Sequence, residues 1–399
     1  MKFGSIISAG KVVAGLFVGL ALTVATAPVQ AQTFSLIHTF TGESDGGSPL
    51  SGLIIDKAGN LYGTASYGGG AGYGVVLKLA VNGEETVLHN FAGGTDGATP
   101  EGRLVRDAAG NLFGTTFGGG TSGDGTIFEI NSKGKEIILH RFTGANGAYP
   151  EAGLTMDAKG DLYGTTTAGG ANGNGTVFKL EKNTKGKWIE HVLYSFGPGT
   201  DGTVPVAGVT LDKAGNIYGT TSAGGTYTYG TIFELTRGKT GWTESILHDF
   251  QDAADGGVPY AGLVFDQSGN IYGAATEANQ QNDGGTVFQL TPANGTWNFN
   301  VLYTLPGWGI SGTFRDVLLD AAGNLYATTH CDGSYSAGTV YELTPTSGTW
   351  TYTSLYVFTG GSDGEYSFSN LVFDKQGNLY GTTNTGGANY YGVVFKIAP

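Results

Sequence analysis

From Gln32 onward the chain is written in short apolar runs, each closed by glycine or by a polar turn. No run repeats every three to four positions over a window long enough for an amphipathic helix. The pattern predicts many short strands joined by tight turns. One stretch, Asp-x-x-Gly-Asn-(Leu/Ile)-Tyr-Gly-Thr-Thr or a close variant, begins at Asp56, Asp107, Asp157, Asp212, Asp266, Asp320 and Asp374. Two other landmarks keep step with it. GVVLKL at 74 returns as GTIFEI, GTVFKL, GTIFEL, GTVFQL, GTVYEL and GVVFKI, and LIHTF at 36 returns as VLHNF, ILHRF, VLYSF, ILHDF, VLYTL and LYVF. Each occurs seven times at intervals of 50 to 55 residues.

Self-similarity at this period signals a solenoid, a propeller or an array, and four short strands per unit match a propeller blade. Strand a precedes the Asp-x-x-Gly turn and strand b follows it; strand c is the GTVFKL segment and strand d ends in LYSF. In the a–b turn the aspartate is expected to accept backbone N–H groups while the glycine takes a positive φ. Strands a and c are expected to be buried on both faces by neighbouring blades. The chain ends complement each other. Residues 34–40 read as a lone strand d, and residues 393–397 as a strand c lacking its partner. Pairing them would close the ring and remove two exposed edges. The expected fold is all-β: a seven-bladed β-propeller of four-stranded antiparallel blades over 32–399, closed by the N-terminal strand on the C-terminal blade.

Composition agrees with strands and turns. There are 72 glycines, 21 tyrosines and 21 phenylalanines, with only 13% charged residues. Residues 1–31 differ: Lys2 and Lys11 precede the apolar run 12–27, and Ala31 follows Pro28, Val29 and Gln30. A basic start, an apolar middle and small residues before a break describe a secretory signal peptide. The run is shorter than the ~20 residues a spanning helix needs, so cleavage is expected rather than anchoring, leaving no membrane span. A periplasmic or extracellular location follows. The net charge of −13 disfavours nucleic acid as a partner. Cys331, the single cysteine, has no internal disulfide partner.

The text GL-x-x-D-x-x-GN-(L/I)-YGTT, with its GG and GTVF(K/E)L companions, resembles the Gloeo/Verruco tandem repeat of secreted bacterial proteins over essentially all of 32–399. The hairpin is also similar to NHL-type propeller repeats. The resemblance implies a bacterial, exported propeller and brings no defined catalytic residues.

Most chemically tempting side chains fall into register with the repeat. His38, His89, His140 and His248 stand two before the end of strand d, where other copies carry Tyr194, Tyr303 or Tyr356; interchange with tyrosine reads as packing rather than metal ligation. Trp188, Trp242, Trp297 and Trp350 keep one register and read as structural. No metal site, cofactor or catalytic residue is assigned, and a monomer is expected. The residues that break the repeat are more informative. Strand a is usually entered through glycine four before the turn aspartate, but three blades carry Arg103, Asp316 and Asn370 there. Arg315 lies beside Asp316, and the blade-six loops add Trp308, His330 and Asp332.

These seven, Arg103, Trp308, Arg315, Asp316, His330, Asp332 and Asn370, are expected to line a ligand pocket on the face carrying the d–a and b–c loops. Function tends to sit on long loops held by a rigid scaffold. The plain alternative is that blade six has drifted, with Arg315 paired to Asp316 or Asp332 on a solvated rim. His330 with Cys331 is a weaker nucleophile pair. The expected function is a secreted binding module for a glycan or small polar molecule. The alternatives are a carbohydrate-active lyase or hydrolase, with Asp316 and Asp332 as the first carboxylate pair to consider, and a passive wall or adhesion protein.

Overall fold

The computed structural model describes residues 1, 32–279, 283–307 and 311–399. The leader expectation falls on residues 2–31 and lies outside the described residues, as does Trp308. Residues 32–399 form a seven-bladed β-propeller of four-stranded antiparallel blades. Blades one to six span 54–90, 105–141, 155–195, 210–249, 264–304 and 318–357. Blade seven takes Val372–Phe373, Leu379–Thr383 and Val393–Ala398 from the end of the chain and Thr33–Thr39 from its start. Thr33 stands opposite Ala398 and Thr39 opposite Val393. Phe34 stacks on Tyr356 of blade six at 3.9 Å, so the seam is packed as well as hydrogen-bonded.

The core is divided among the seven contacts between neighbouring blades. The aromatic residue that ends strand d wedges against the strand-c phenylalanine of the next blade, with ring centroids 5.1–5.6 Å apart for Phe91–Phe128, Phe142–Phe178, Phe196–Phe233, Phe250–Phe288 and Phe358–Phe395. Phe40, at the seam, sits in a cluster with Leu53, Leu77 and Val394. The YGTT text is explained by this packing. At Gly164 a β-carbon would lie 2.6 Å from Cζ of Phe178, so glycine there makes room for the ring. The first threonine stitches blades: Thr115, Thr165 and Thr220 donate to the carbonyls of Ala152, Ala207 and Ala261 at 2.8–2.9 Å, and Thr382 closes the circle onto Ser51. The second stitches strand b to strand c, as in Thr116 to Thr126 at 2.8 Å. Trp188, Trp297 and Trp350 meet Phe113, Tyr218 and Tyr272 of the preceding blade edge-on.

The a–b turn is a saturated side-chain cap. Asp56 accepts from the amides of Ala58 and Asn60, from Nδ2 of Asn60 and from the Tyr62 hydroxyl at 2.9–3.0 Å. One expectation needs correction. Strand b is buried throughout, as in Ile271–Ala275, and strand c is buried mainly over its first five residues, but strand a is only two residues long and half-buried, as in Val264–Phe265. The reason is position: strand a is innermost and borders the central channel instead of being sandwiched.

Candidate ligand site at the channel mouth

On the face opposite the a–b turns, the d–a and b–c loops of each blade are tied together. Antiparallel bridges join Gly47 to Tyr67, Ala98 to Gly118, Ala148 to Ala168, Gly257 to Glu277 and Glu365 to Thr385. A non-glycine residue with left-handed φ recurs in these d–a loops (Ser48, Thr99, Tyr149, Val204, Val258, Tyr366). Its amide donates to the b–c loop of the preceding blade, for example Thr99 to Tyr73 at 2.9 Å and Tyr149 to Asp124 at 2.9 Å. Because this conformation recurs in six blades, its strain belongs to the scaffold rather than to one special site. The face is therefore a rigid ring of loops around the channel.

The channel contains a cavity of about 400 Å³ lined by Glu101, Arg103, Glu151, Tyr260, Arg315, Asp316 and Asn370 among others. A smaller cavity of about 270 Å³ along the inner strands shares Arg103, Asp316 and Asn370 with it, so these three form a polar belt that borders both. Glycine dominates this column for a steric reason. A β-carbon on Gly153 would lie 2.5 Å from the Arg103 carbonyl, and one on Gly262 would lie 2.6 Å from Oδ1 of Asp316. Inner strands converge on the axis, and the three side chains occupy the space left by glycines. Asp316 is pinned by the Gly262 amide at 2.7 Å. Arg103 keeps a buried Nε without a hydrogen-bond partner. Burial pulls its guanidinium below the ordinary arginine range, against the attraction of Asp316.

Above the belt, Arg315 reaches past blade seven and donates Nε and Nη2 to the Leu50 carbonyl at 3.2 and 2.9 Å. Among the described residues it forms no ion pair with Asp316 or Asp332, so the drifted-rim pairing is not what holds it. Glu101 and Glu151 come from adjacent blades. Burial pushes Glu101 up to about 7, with the Glu151 charge adding to the rise and Arg315 opposing it. Burial also raises Glu151, again against Arg315. Glu101 is thus close to half-protonated near neutrality, able to donate or accept.

Arg103, Arg315, Asp316 and Asn370 meet in one cavity, but the other two described candidates do not join them. Asp332 lines a separate cavity with Cys331 and Tyr352, so Asp316 and Asp332 do not share a pocket as a carboxylate pair. Asp332 takes a position that is glycine in most blades; its Oδ1 accepts from Thr329, Oδ2 is buried without a partner, and burial raises its carboxyl. His330 is packed in an aromatic cluster, 4.4 Å from Phe368, 4.9 Å from Tyr366 and 5.1 Å from Phe314. Burial drops it to about 4, which leaves it neutral. Burial also raises the Cys331 thiol, with the Asp332 charge adding to it, the opposite of an activated nucleophile.

Sequence reasoning missed Glu101, Glu151 and Tyr260. All three stand six before a turn aspartate, in the column Leu50, Glu101, Glu151, Val206, Tyr260, Phe314 and Phe368. That column rings the mouth. Its polar members lie on one side, while Tyr260 meets Phe314 at 5.2 Å and Phe314 meets Phe368 at 5.1 Å on the other.

Comparison with known proteins places this chain. The model of the Gloeobacter/Verrucomicrobia repeat matches residues 21–219 and 207–399, and the chain belongs to that repeat family. No curated protein matches it. Among solved structures it is similar to the extracellular domain of a protein assigned as a hybrid two-component system of B. thetaiotaomicron, at 11% identity and TM-score 0.58. That match covers 91% of this chain and 39% of the other. It is also similar to PorZ, a bacterial surface component of the type-IX secretion system of Porphyromonas gingivalis, at 16% identity and TM-score 0.50, covering 86% of this chain and 46% of PorZ. A Bacteroides fragilis protein assigned as a 6-phosphogluconolactonase matches at 16% identity and TM-score 0.47 over 89% and 88% of the two chains. This chain spans less than half of the first two structures, and these likenesses show the fold alone.

Proposed function

We propose that the loop-rich channel mouth binds a small polar ligand of the sugar type, in a protein exported from the cytoplasm. The observation that carries this reading is the convergence of Glu101, Arg103, Glu151, Tyr260, Arg315, Asp316 and Asn370 on one cavity of about 400 Å³. Small-molecule sites typically enclose ~300–1,000 Å³ and combine an aromatic surface with a few fixed polar groups. Arg315 and Asn370 donate, Asp316 and Glu151 accept, Glu101 does either, and Tyr260 offers a face for a sugar ring. Export rests on the basic, apolar and small-residue pattern of residues 1–31. Screening the protein on a glycan array and by thermal shift tests the site. A ligand should bind, and Glu101→Gln with Arg315→Ala should weaken it at least about tenfold, about 1.4 kcal/mol, while the fold survives. No ligand, or equal binding by the variant, would sink the proposal.

A second reading, a carbohydrate-active lyase or hydrolase, is favoured by one feature: the carboxyl pair Glu101 and Glu151 in a shared cavity, the first raised to about 7. A carboxylic acid with that value suits general acid catalysis near neutrality. Turnover of a polysaccharide panel, lost by at least about a hundredfold in Glu101→Gln, is the result this reading requires.

A further inference from the structure

The seven blade contacts offer a natural comparison at the outer rim. At each one, the residue two before the end of strand d faces the residue six before the end of the next strand d. The pairs are His38 with Glu85, His89 with Glu136, His140 with Glu190, Tyr194 with Glu244, His248 with Phe299, Tyr303 with Tyr352, and Tyr356 with Phe34. In the last three the two rings stack, at 3.6, 5.2 and 3.9 Å. In the first four a glutamate replaces the aromatic partner.

A loop residue completes most of these sets, and its identity decides how the polar groups are satisfied. In the third contact Asn146 supplies the shared donor: its Nδ2 reaches Nε2 of His140 at 2.8 Å and Oε2 of Glu190 at 3.3 Å. In the fourth the Tyr194 hydroxyl lies 3.0 Å from Asp201 and 3.3 Å from Glu244. The first two contacts have neither group. His38 is joined by Asp45 at 3.2 Å, and His89 by Asp96 at 3.3 Å. An imidazole with one N–H on this side now faces two carboxylates. Oε1 of Glu136 is buried without a hydrogen-bond partner.

The glutamate is not needed to hold the loop. His248 makes the same bond to Asp255, at 3.1 Å, with Phe299 in the glutamate's place. What Glu85 and Glu136 add is a third ligand. In each set one nitrogen and two carboxylate oxygens lie within 4.8 Å of one another. The other two donors are already oriented. His38 and His89 pack edge-on against Phe40 and Phe91 at 4.7 and 4.8 Å, and Asp45 and Asp96 are held by the amides of Thr41 and Ala92 at 2.9 and 2.7 Å. Such supporting contacts fix ligand direction in metal sites.

We propose that His38, Asp45 and Glu85, and equally His89, Asp96 and Glu136, each bind a divalent transition-metal cation of the zinc type, clamping blade one to its two neighbours. One neutral imidazole and two carboxylates neutralise a dication and leave a coordination position for water. The cation stands where Asn146 places its amide donor in the third contact. Closure to ~2.0–2.2 Å asks the glutamate carboxylate to swing inward. This revises the sequence expectation that all four histidines are packing groups: His140 and His248 lack the full donor set, while His38 and His89 have it.

Equilibrium dialysis of the metal-free protein against Zn²⁺ tests the proposal. Two cations per chain should depend on these residues. Glu85→Gln and Glu136→Gln should each weaken one of the two sites by about tenfold or more, and the double variant should weaken both. Asn146→Asp should create an additional site with His140 and Glu190, a gain that a folding defect cannot imitate. Co²⁺ should report tetrahedral or five-coordinate absorption that the double variant loses. Zn²⁺ binding unchanged in the double variant, or no added site in Asn146→Asp, would overturn it.

Discussion

On the turn face of the ring, Asp56, Asp212, Asp266, Asp320 and Asp374 each receive the amide four residues on and the amide nitrogen of the following asparagine side chain. On the channel face, the residue four before the turn aspartate is glycine in four of the seven blades but Arg103, Asp316 or Asn370 in the others. The same strand a connects both. Every polar atom of the turn aspartate is used inside its own blade, so uniformity there is a folding requirement. At the axis seven inner strands crowd together and a few side chains share the space left by glycines, so a large side chain in all seven blades would not fit. A repeat dictates sameness where the neighbours are its own atoms and permits difference where seven copies meet.

The largest test of this contrast concerns sameness. If the seam is an ordinary blade contact, Phe40→Ala should cost as much as Phe196→Ala, about 3–5 kcal/mol each, since both rings are essentially buried. Chemical denaturation would show it; a much smaller cost for Phe40 would mean the N-terminal strand is loosely held. Next, Thr382→Val removes a donor to the Ser51 carbonyl across the seam and should lose about 1–2 kcal/mol, because that carbonyl is left unpaired.

Asp266→Ala removes a turn cap and should cost about 1 kcal/mol at neutral pH, measured as a lower melting temperature. Burial pushes this carboxyl up, but bonds from Asn270, Ser268 and Tyr272 outweigh it and hold the carboxyl below 3.8. Its contribution is therefore present above that value and fades as the pH falls below it. The gap between wild type and variant should close in acid. Glu244 has the opposite sign. Burial, then the charge of Asp201, pushes it up to about 8, so its contribution is full below its ordinary 4.5 and is lost as the pH rises through 8. This group's contribution should make the melting temperature fall between pH 4.5 and about 8, and Glu244→Gln should flatten that slope slightly; an unchanged slope would refute the assignment.

The blades, the turn cap and the seam were legible because each depends on local text repeated seven times. Arg103, Asp316 and Asn370 were legible as breaks in a glycine column. Glu101, Glu151 and Tyr260 were not, because their column carries no fixed residue against which a change stands out. His330 and Asp332 show a different limit. Both leave strand b on the channel face, as the chain direction requires, yet one turns into an aromatic cluster and the other toward a separate cavity. Emergence from a strand fixes the face on which a residue lies; packing of the loop fixes where its side chain goes.

The central claim, that side chains breaking the repeat at the channel mouth form a working site, is tested most directly by comparing two variants against the same bound ligand. Glu101→Gln with Arg315→Ala alters the mouth, and Asp266→Ala alters the opposite face. The account predicts that calorimetric affinity falls at least about tenfold in the first variant and stays unchanged in the second, although the second is the less stable protein. Affinity that survives the mouth variant would contradict it.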